Sequence, residues 1–445
     1  WSPDGEQIAF TRLVPTKPPM LATMPDKPKG ATWAEPANVV DKMTFRVDGG
    51  GYLPSGSEQV FVVPAHGGTP RQMTSSNFPI SSAITWSPDS QSIIFSSNRR
   101  DDAEYHPRQS DLFGIALLTG QITQITNTAG PEGHPVVSPN GRYLAYTQTA
   151  DIRQGYNGAK LTIRDLTTGE SRALTTDLDR SVSDIQWSKD SKSLWISYTD
   201  LGMTRVAKID LTGKRRQTNI VVGGTAIGRP YTSGSFSIGG KGRLAYTLGR
   251  DDRPADVALM RPGRTPLKLT DLNGDLMGQR QMTGAERITW RSSHDAMMIE
   301  GWVMKPPGFD PAKTYPMILE IHGGPHSAYG PNYSTEAQLF AAAGYVVLYT
   351  NPRGSTSYGE QFANEIDLAY PGFDYDDLIS GVDAVINQGY VDPEQLFVTG
   401  GSGGGVLTAW IVGKTDRFRA AVVAKHLFIT AVFTALAGAP RPGGI

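Results

Sequence analysis

The sequence has 445 residues, 39% of them apolar, and its 42 basic and 43 acidic side chains leave a net charge of −1. That length suits about three domains of roughly 150 residues, and the cancelling charge gives no electrostatic footprint for nucleic acid or anionic lipid. There is no cysteine, which excludes disulfides, thiol chemistry and cysteine-based zinc sites without fixing the compartment.

The chain opens on Trp1-Ser2-Pro3-Asp4-Gly5, a segment that recurs downstream. The expectation is therefore a start in mid-protein, with at least one repeat and any targeting segment lying before Trp1. Copies follow at Trp86-Ser87-Pro88-Asp89-Ser90, Val137-Ser138-Pro139-Asn140-Gly141, Trp187-Ser188-Lys189-Asp190-Ser191 and, degenerate, Phe236-Ser237-Ile238-Gly239-Gly240. These four copies are spaced 49–51 residues apart. Ser-Pro-Asp-Gly suits a type I turn, with proline presetting φ and Asp or Asn bonding locally. Short runs rich in β-branched and aromatic residues flank each turn, as strands require.

A second motif ends each period: an apolar strand, a glycine turn, then a strand closing on threonine. It spans Val60–Thr74, Leu112–Thr126, Leu161–Thr175 and Val257–Thr270. Two hairpins per period make a four-stranded blade, and radially arranged blades make a propeller. Residues 1–283 are read as β-propeller repeats, with a Pro-rich insertion from Pro15 to Pro36. The alternative is a β-sandwich with coincidental turns. The Gly-His and Trp-Asp marks of WD40 blades are missing.

From about residue 284 the pattern changes to alternating strands and helices. Strands are predicted at Pro316–Ile321, Tyr345–Tyr349, Leu396–Thr399 and Ala420–Ala424, and helices at Thr335–Ala343, Tyr375–Asn387 and Gly405–Val412. Such alternation builds a mostly parallel sheet covered by helices. Residues 284–425 are read as an α/β domain and 426–445 as an aberrant tail. No stretch reaches the roughly 20 apolar residues of a membrane helix, so no membrane insertion is expected.

Between the strand ending at Thr399 and the following helix lies Gly400-Gly401-Ser402-Gly403-Gly404. It matches the G-x-S-x-G nucleophile elbow in the strand–turn–helix context that motif requires. Ser402 is the candidate nucleophile, with Gly400 and Gly404 admitting close backbone approach. Gly413-Lys414-Thr415 resembles the end of a phosphate-binding loop. That loop needs glycine where Thr408 stands and should precede its helix, so the reading fails.

Acyl transfer needs donors aimed at the developing oxyanion. The N–H of Gly403, next after the nucleophile, is one candidate. His322-Gly323-Gly324-Pro325 directly follows a predicted strand, where an oxyanion loop of the HGG type belongs. His322 and His326 precede Ser402, whereas α/β-hydrolase triads run Ser, acid, His. A structural or pocket-shaping role is expected for both, and a surface or turn role for His66, His106, His134 and His294.

Together the propeller repeats, His322-Gly323-Gly324-Pro325, Asn351-Pro352-Arg353-Gly354-Ser355 with Tyr358-Gly359, and Gly400–Gly404 resemble the prolyl oligopeptidase family of serine peptidases. Within it the resemblance is to the bacterial acylaminoacyl-peptidase and dipeptidyl-peptidase-like branch, and it runs to about Lys425. It implies a β-propeller followed by an α/β-hydrolase domain, both incomplete in this chain, with the propeller restricting access. It further implies short peptide substrates, Ser402 as nucleophile, and oxyanion N–H groups from Gly403 and Gly324. No cofactor and no metal are implied. Arg353 shapes the loop beside the site or pairs with Asp376 or Asp377. The resemblance points to a periplasmic or secreted protein, with the cytoplasm as the alternative.

The chain departs from that family after Ser402, where the only acid is Asp416 and the only histidine His426. Neither stands where the triad needs it. The expectation is a fragment, its tail a truncation or frame artefact, with little turnover of its own for want of a positioned base. A serine esterase on the same scaffold and a non-catalytic binding propeller are the rival functions.

Overall fold

In a computed structural model the described residues are 1–424, apart from 18–21, 23–24, 35–38, 48–49 and 82. The predicted tail, with His426, lies outside them. They form two compact units, 1–137 and 138–424.

The repeat turns explain their own sequence. Gly5, Ser90, Gly141 and Ser191 each donate the backbone N–H that closes the turn to the serine three residues earlier, at 2.8–2.9 Å. All four have positive φ, between 57° and 80°. That conformation favours glycine, which the repeat uses twice. The leading serine bonds the acid or amide two residues on, as in Ser87–Asp89 (2.5 Å) and Ser138–Asn140 (2.7 Å). This bond is the main reason the Asp89 carboxyl sits below its ordinary range.

The second motif is a side-chain clasp. Thr74, Thr126, Thr175 and Thr270 each accept, at Oγ1, the backbone N–H of Val60, Leu112, Leu161 and Val257 respectively, at 2.8–2.9 Å. The hydroxyl satisfies a strand N–H where the ladder to the outermost strand ends.

In the first unit Thr85–Trp86, Ser92–Ser97, Asp111–Ala116 and Ile122–Gln124 form a four-stranded antiparallel sheet. A three-stranded sheet precedes it, made of Gln7–Pro15, Gly56–Pro64 and Arg71–Gln72. Val60, Ile93, Phe95 and Ile115 are fully buried between these sheets. A four-stranded sheet at 132–173 follows, and the second unit holds two more, at 182–217 and 236–268. Val206, Leu244 and Ala258 fill the space between them. These are the blades of a propeller.

The remaining sheet has six strands: β1 (Ala285–Arg291), β2 (Met298–Met304), β3 (Tyr315–Ile321), β4 (Val346–Asn351), β5 (Val391–Gly401) and β6 (Phe418–Ala424), in spatial order β1-β2-β4-β3-β5-β6. The β1–β2–β4 edge is antiparallel and β4–β3–β5–β6 is parallel. The β1–β2 hairpin was not among the predicted strands. Helices α1 (Thr335–Ala342), α2 (Asp374–Ile386) and α3 (Gly403–Lys414) connect the parallel strands.

Helix α2 shows why the sequence folds this way. Asp374, Asp376 and Asp377 occupy its first turn, where the helix dipole favours negative charge. Leu378, Val382 and Val385 line one face and are fully buried against Leu319, Leu348 and Leu396 of the sheet. Each such side chain contributes about 1.5–3 kcal/mol of burial. The core thus sits beneath the carboxyl ends of β3 and β5, where an α/β sheet places its ligands.

Candidate active site

Ser402 lies between the end of β5 and the first residue of α3, with φ 58° and ψ −119°. That is a strained conformation for a residue with a side chain, and such strain concentrates at functional sites. Its backbone N–H donates to Ala424 O at 2.9 Å, tying the elbow to β6. Its side chain is exposed.

The flanking glycines are fixed by space. A Cβ on Gly400 would stand 2.3 Å from Gly404 O, and one on Gly404 would stand 2.2 Å from Ile321 O. Neither atom can yield, because both belong to backbone of the elbow or of β3. Only glycine lets the elbow sit this close to the strand beside it.

The His322–Pro325 loop leaves β3 and meets the elbow. A Cβ on Gly323 would lie 3.1 Å from Ser402 Cβ, and one on Gly403 would lie 3.2 Å from Gly324 N. The Gly323 N–H is taken by Tyr231 Oη at 2.8 Å. Among the described residues no acceptor takes the N–H of Gly324 or of Gly403. Gly403 also begins α3, whose dipole adds partial positive charge at that end. Tyr370 Oη donates to Gly403 O at 2.6 Å and steadies the same peptide.

His322 is buried, with Nδ1 2.8 Å from Gly323 O and Nε2 2.9 Å from Ser355 Oγ. Burial pushes it down to about 4, so the ring is neutral. Both nitrogens being engaged, it braces the loop rather than reaching Ser402. His326 places Nδ1 3.0 Å from Gly354 O and packs on Tyr156. His294 stacks on Phe373.

The Asn351–Ser355 segment is a set of braces. Asn351 holds the backbone N and O of Tyr329 at 2.8 and 2.9 Å. Arg353 grips Asp377 through Nε and Nη2 at 3.0 and 2.9 Å, and Asp295 through Nη1 and Nη2 at 3.1 and 3.0 Å. Of the two partners considered from sequence, Asp377 takes the ion pair. Arg353 and Asp377 are both buried, so Arg353 acts on the helix–sheet junction rather than on the reacting centre.

Sequence reasoning missed Arg229, Tyr231, Glu320 and Tyr370. Arg229 Nε lies 2.7 Å from Glu336 and 3.3 Å from Glu320, with Nη1 near the Gly401 backbone. Burial pushes Glu320, at the end of β3, up to about 7. Tyr329 donates to Glu320 at 2.7 Å. Arg229 and Tyr231 come from an irregular linker more than 80 residues before the loop they touch, and no local pattern marks them. Among the described residues no cluster of three or more His, Asp or Glu side chains could hold a metal ion. No described helix is long and apolar enough to cross a membrane.

Residues 331–433 match the prolyl oligopeptidase family, and residues 43–152 match the dipeptidyl peptidase IV N-terminal region. A Bacillus subtilis protein, named as the uncharacterized peptidase YuxL, is 32% identical over 464 residues, covering 83% of this chain and 69% of that protein. The chain belongs to the prolyl oligopeptidase family. Another relative, dipeptidyl-peptidase 5 of Porphyromonas gingivalis, is 28% identical over 77% of this chain and 49% of its own length. The fold agrees with that of Pyrococcus horikoshii acylaminoacyl peptidase, at a TM-score of 0.78 and 21% identity. That match takes in 96% of this chain and 62% of the solved one. The chain thus spans about half of the Porphyromonas gingivalis relative and under two thirds of the solved Pyrococcus horikoshii chain.

Proposed function

We propose that the protein hydrolyses short peptides through an acyl-enzyme on Ser402, with the propeller limiting which substrates enter. The observation that carries this reading is the closeness of Gly324 N to Gly403, both with N–H groups unengaged among the described residues, beside an exposed serine in a strained elbow. Ser402 Oγ attacks the peptide carbonyl and loses its proton to a general base, while the carbonyl oxygen becomes the oxyanion these N–H groups stabilise. Collapse expels the amine, which takes up the proton, and leaves an ester on Ser402 that water then cleaves.

The base lies outside the described residues in this reading. His322, His326 and His294 are committed elsewhere. Asp416 follows the far end of the twelve-residue helix α3, about 18 Å along the axis from Ser402. The names of two relatives, dipeptidyl-peptidase 5 and acylaminoacyl peptidase, support peptides as the substrate class.

The test is turnover by the full-length gene product, with free and N-acylated short peptide amides set beside aryl esters. Amide cleavage that disappears in Ser402→Ala is expected. Ester cleavage with no amide cleavage supports an esterase instead, and no turnover of either supports a binding protein.

A further inference from the structure

The linker between the sheets at 182–217 and 236–268 leaves the propeller and lies along the oxyanion loop. Thr335 N and Glu336 N donate to Ile227 O and Gly228 O, at 2.9 and 3.2 Å. Gly330 N donates to Pro230 O at 2.9 Å, and Thr232 N to Ala328 O at 3.0 Å. Tyr231 and Tyr329 pair as an antiparallel bridge, and their rings meet edge-on with centroids 4.8 Å apart. Arg229 anchors the linker on Glu320 and Glu336, one on the strand before the loop and one on the helix after it. The linker cannot drift at Arg229 without breaking a charge-assisted bond.

This clamp seats one hydroxyl at the loop. Tyr231 Oη accepts the Gly323 N–H at 2.8 Å. A Cβ on Gly323 would stand 3.4 Å from that oxygen and 3.1 Å from Ser402 Cβ, so hydroxyl and nucleophile flank the same small space. Two consecutive glycines have the widest backbone freedom of any dipeptide. Gly324 sits at φ +133°, a conformation closed to other residues. An oxyanion donor on such a pair needs restraint from outside it: His322 Nδ1 holds the Gly323 carbonyl, in the same peptide as the Gly324 N–H, and Tyr231 holds the peptide before it.

We propose that Tyr231 is a positioning residue for the oxyanion donor: it engages the Gly323 N–H and thereby holds the Gly324 N–H toward Ser402. The linker between two propeller sheets then builds part of the reaction centre. This rests on the hydrolase reading above, in which Gly324 is a donor.

Tyr231→Phe in the full-length gene product tests it, since the ring and its packing on Tyr329 stay while the acceptor oxygen goes. Expected are a kcat about ten- to a hundred-fold lower with KM within about twofold, below the 10²–10³ loss of a whole donor. Faster amide hydrogen exchange across residues 322–330 and an unchanged melting midpoint are expected alongside. An active wild type whose kcat survives the substitution overturns the proposal. A wild type without turnover counts against the hydrolase reading; the exchange rate then judges Tyr231 alone, and unchanged exchange overturns its role. Should Y231F lower the melting midpoint, Tyr231→His, which restores an acceptor nitrogen, must recover slow exchange, and failure to do so overturns it equally.

Discussion

The blades and the elbow use glycine and hydroxyl groups for opposite purposes. In the blades one turn and one clasp recur, and each copy is replaceable: Ser90 and Ser191 stand where other turns have glycine, at the same positive φ. At the elbow a Cβ on Gly400 or Gly404 would meet backbone at 2.3 or 2.2 Å, and no second copy shares the load. A repeat spreads its stability over near-identical units, whereas a reaction centre concentrates constraint in a few atoms. Substitutions should therefore be mild and local in the first region and severe in the second.

The largest effect should come from the braces behind the site. Arg353→Met strands the buried Asp377 carboxylate and should lower stability by about 3–5 kcal/mol in urea unfolding. A loss under 1 kcal/mol would show that the pair is not the brace described. Next comes Gly404→Ala, whose Cβ must displace the β3 backbone at Ile321. A loss of about 1–3 kcal/mol is expected, with Ser402 reactivity falling further than stability does.

A pH comparison separates two buried groups of opposite sign. Glu320 has its folded value raised by burial to about 7. The stability it contributes is complete below the usual carboxylate range and is lost as pH rises toward 7. His322 is lowered by burial to about 4, so its contribution is present above about 6.5 and lost as pH falls toward 4. Melting midpoints measured from pH 4.5 to 6.5 should rise more steeply with pH in Glu320→Gln than in the wild type. They should rise less steeply in His322→Asn. Slopes that move together would refute the assignment.

The smallest effect belongs to the blades. Thr175→Val removes one clasp of the kind that recurs at four positions and leaves the Leu161 N–H without its partner. About 1–2 kcal/mol is expected from denaturant unfolding.

The same contrast explains what the sequence made legible. The repeat turns and clasps could be read because each is local: a hydroxyl and its N–H lie 13 or 14 residues apart and the spacing recurs. The elbow could be read because five consecutive residues carry it. The sheet order was less accessible, since β1 and β2 lack a run as long and apolar as β3, and their place at the edge depends on partners 50 residues away. Tyr231, Arg229 and Tyr370 were illegible for the same reason. Their roles come from contacts over 33 to 107 residues of chain, and an isolated tyrosine or arginine announces nothing about where it will land.

The central claim is that Ser402, held in the elbow beside Gly324 and Gly403, is a reactive nucleophile. Treating the full-length gene product with a fluorophosphonate probe and mapping the adduct by peptide mass tests it most directly. A single adduct on the peptide carrying Ser402, absent in Ser402→Ala, is the predicted result. No adduct, or an adduct on another serine that persists in Ser402→Ala, would contradict it.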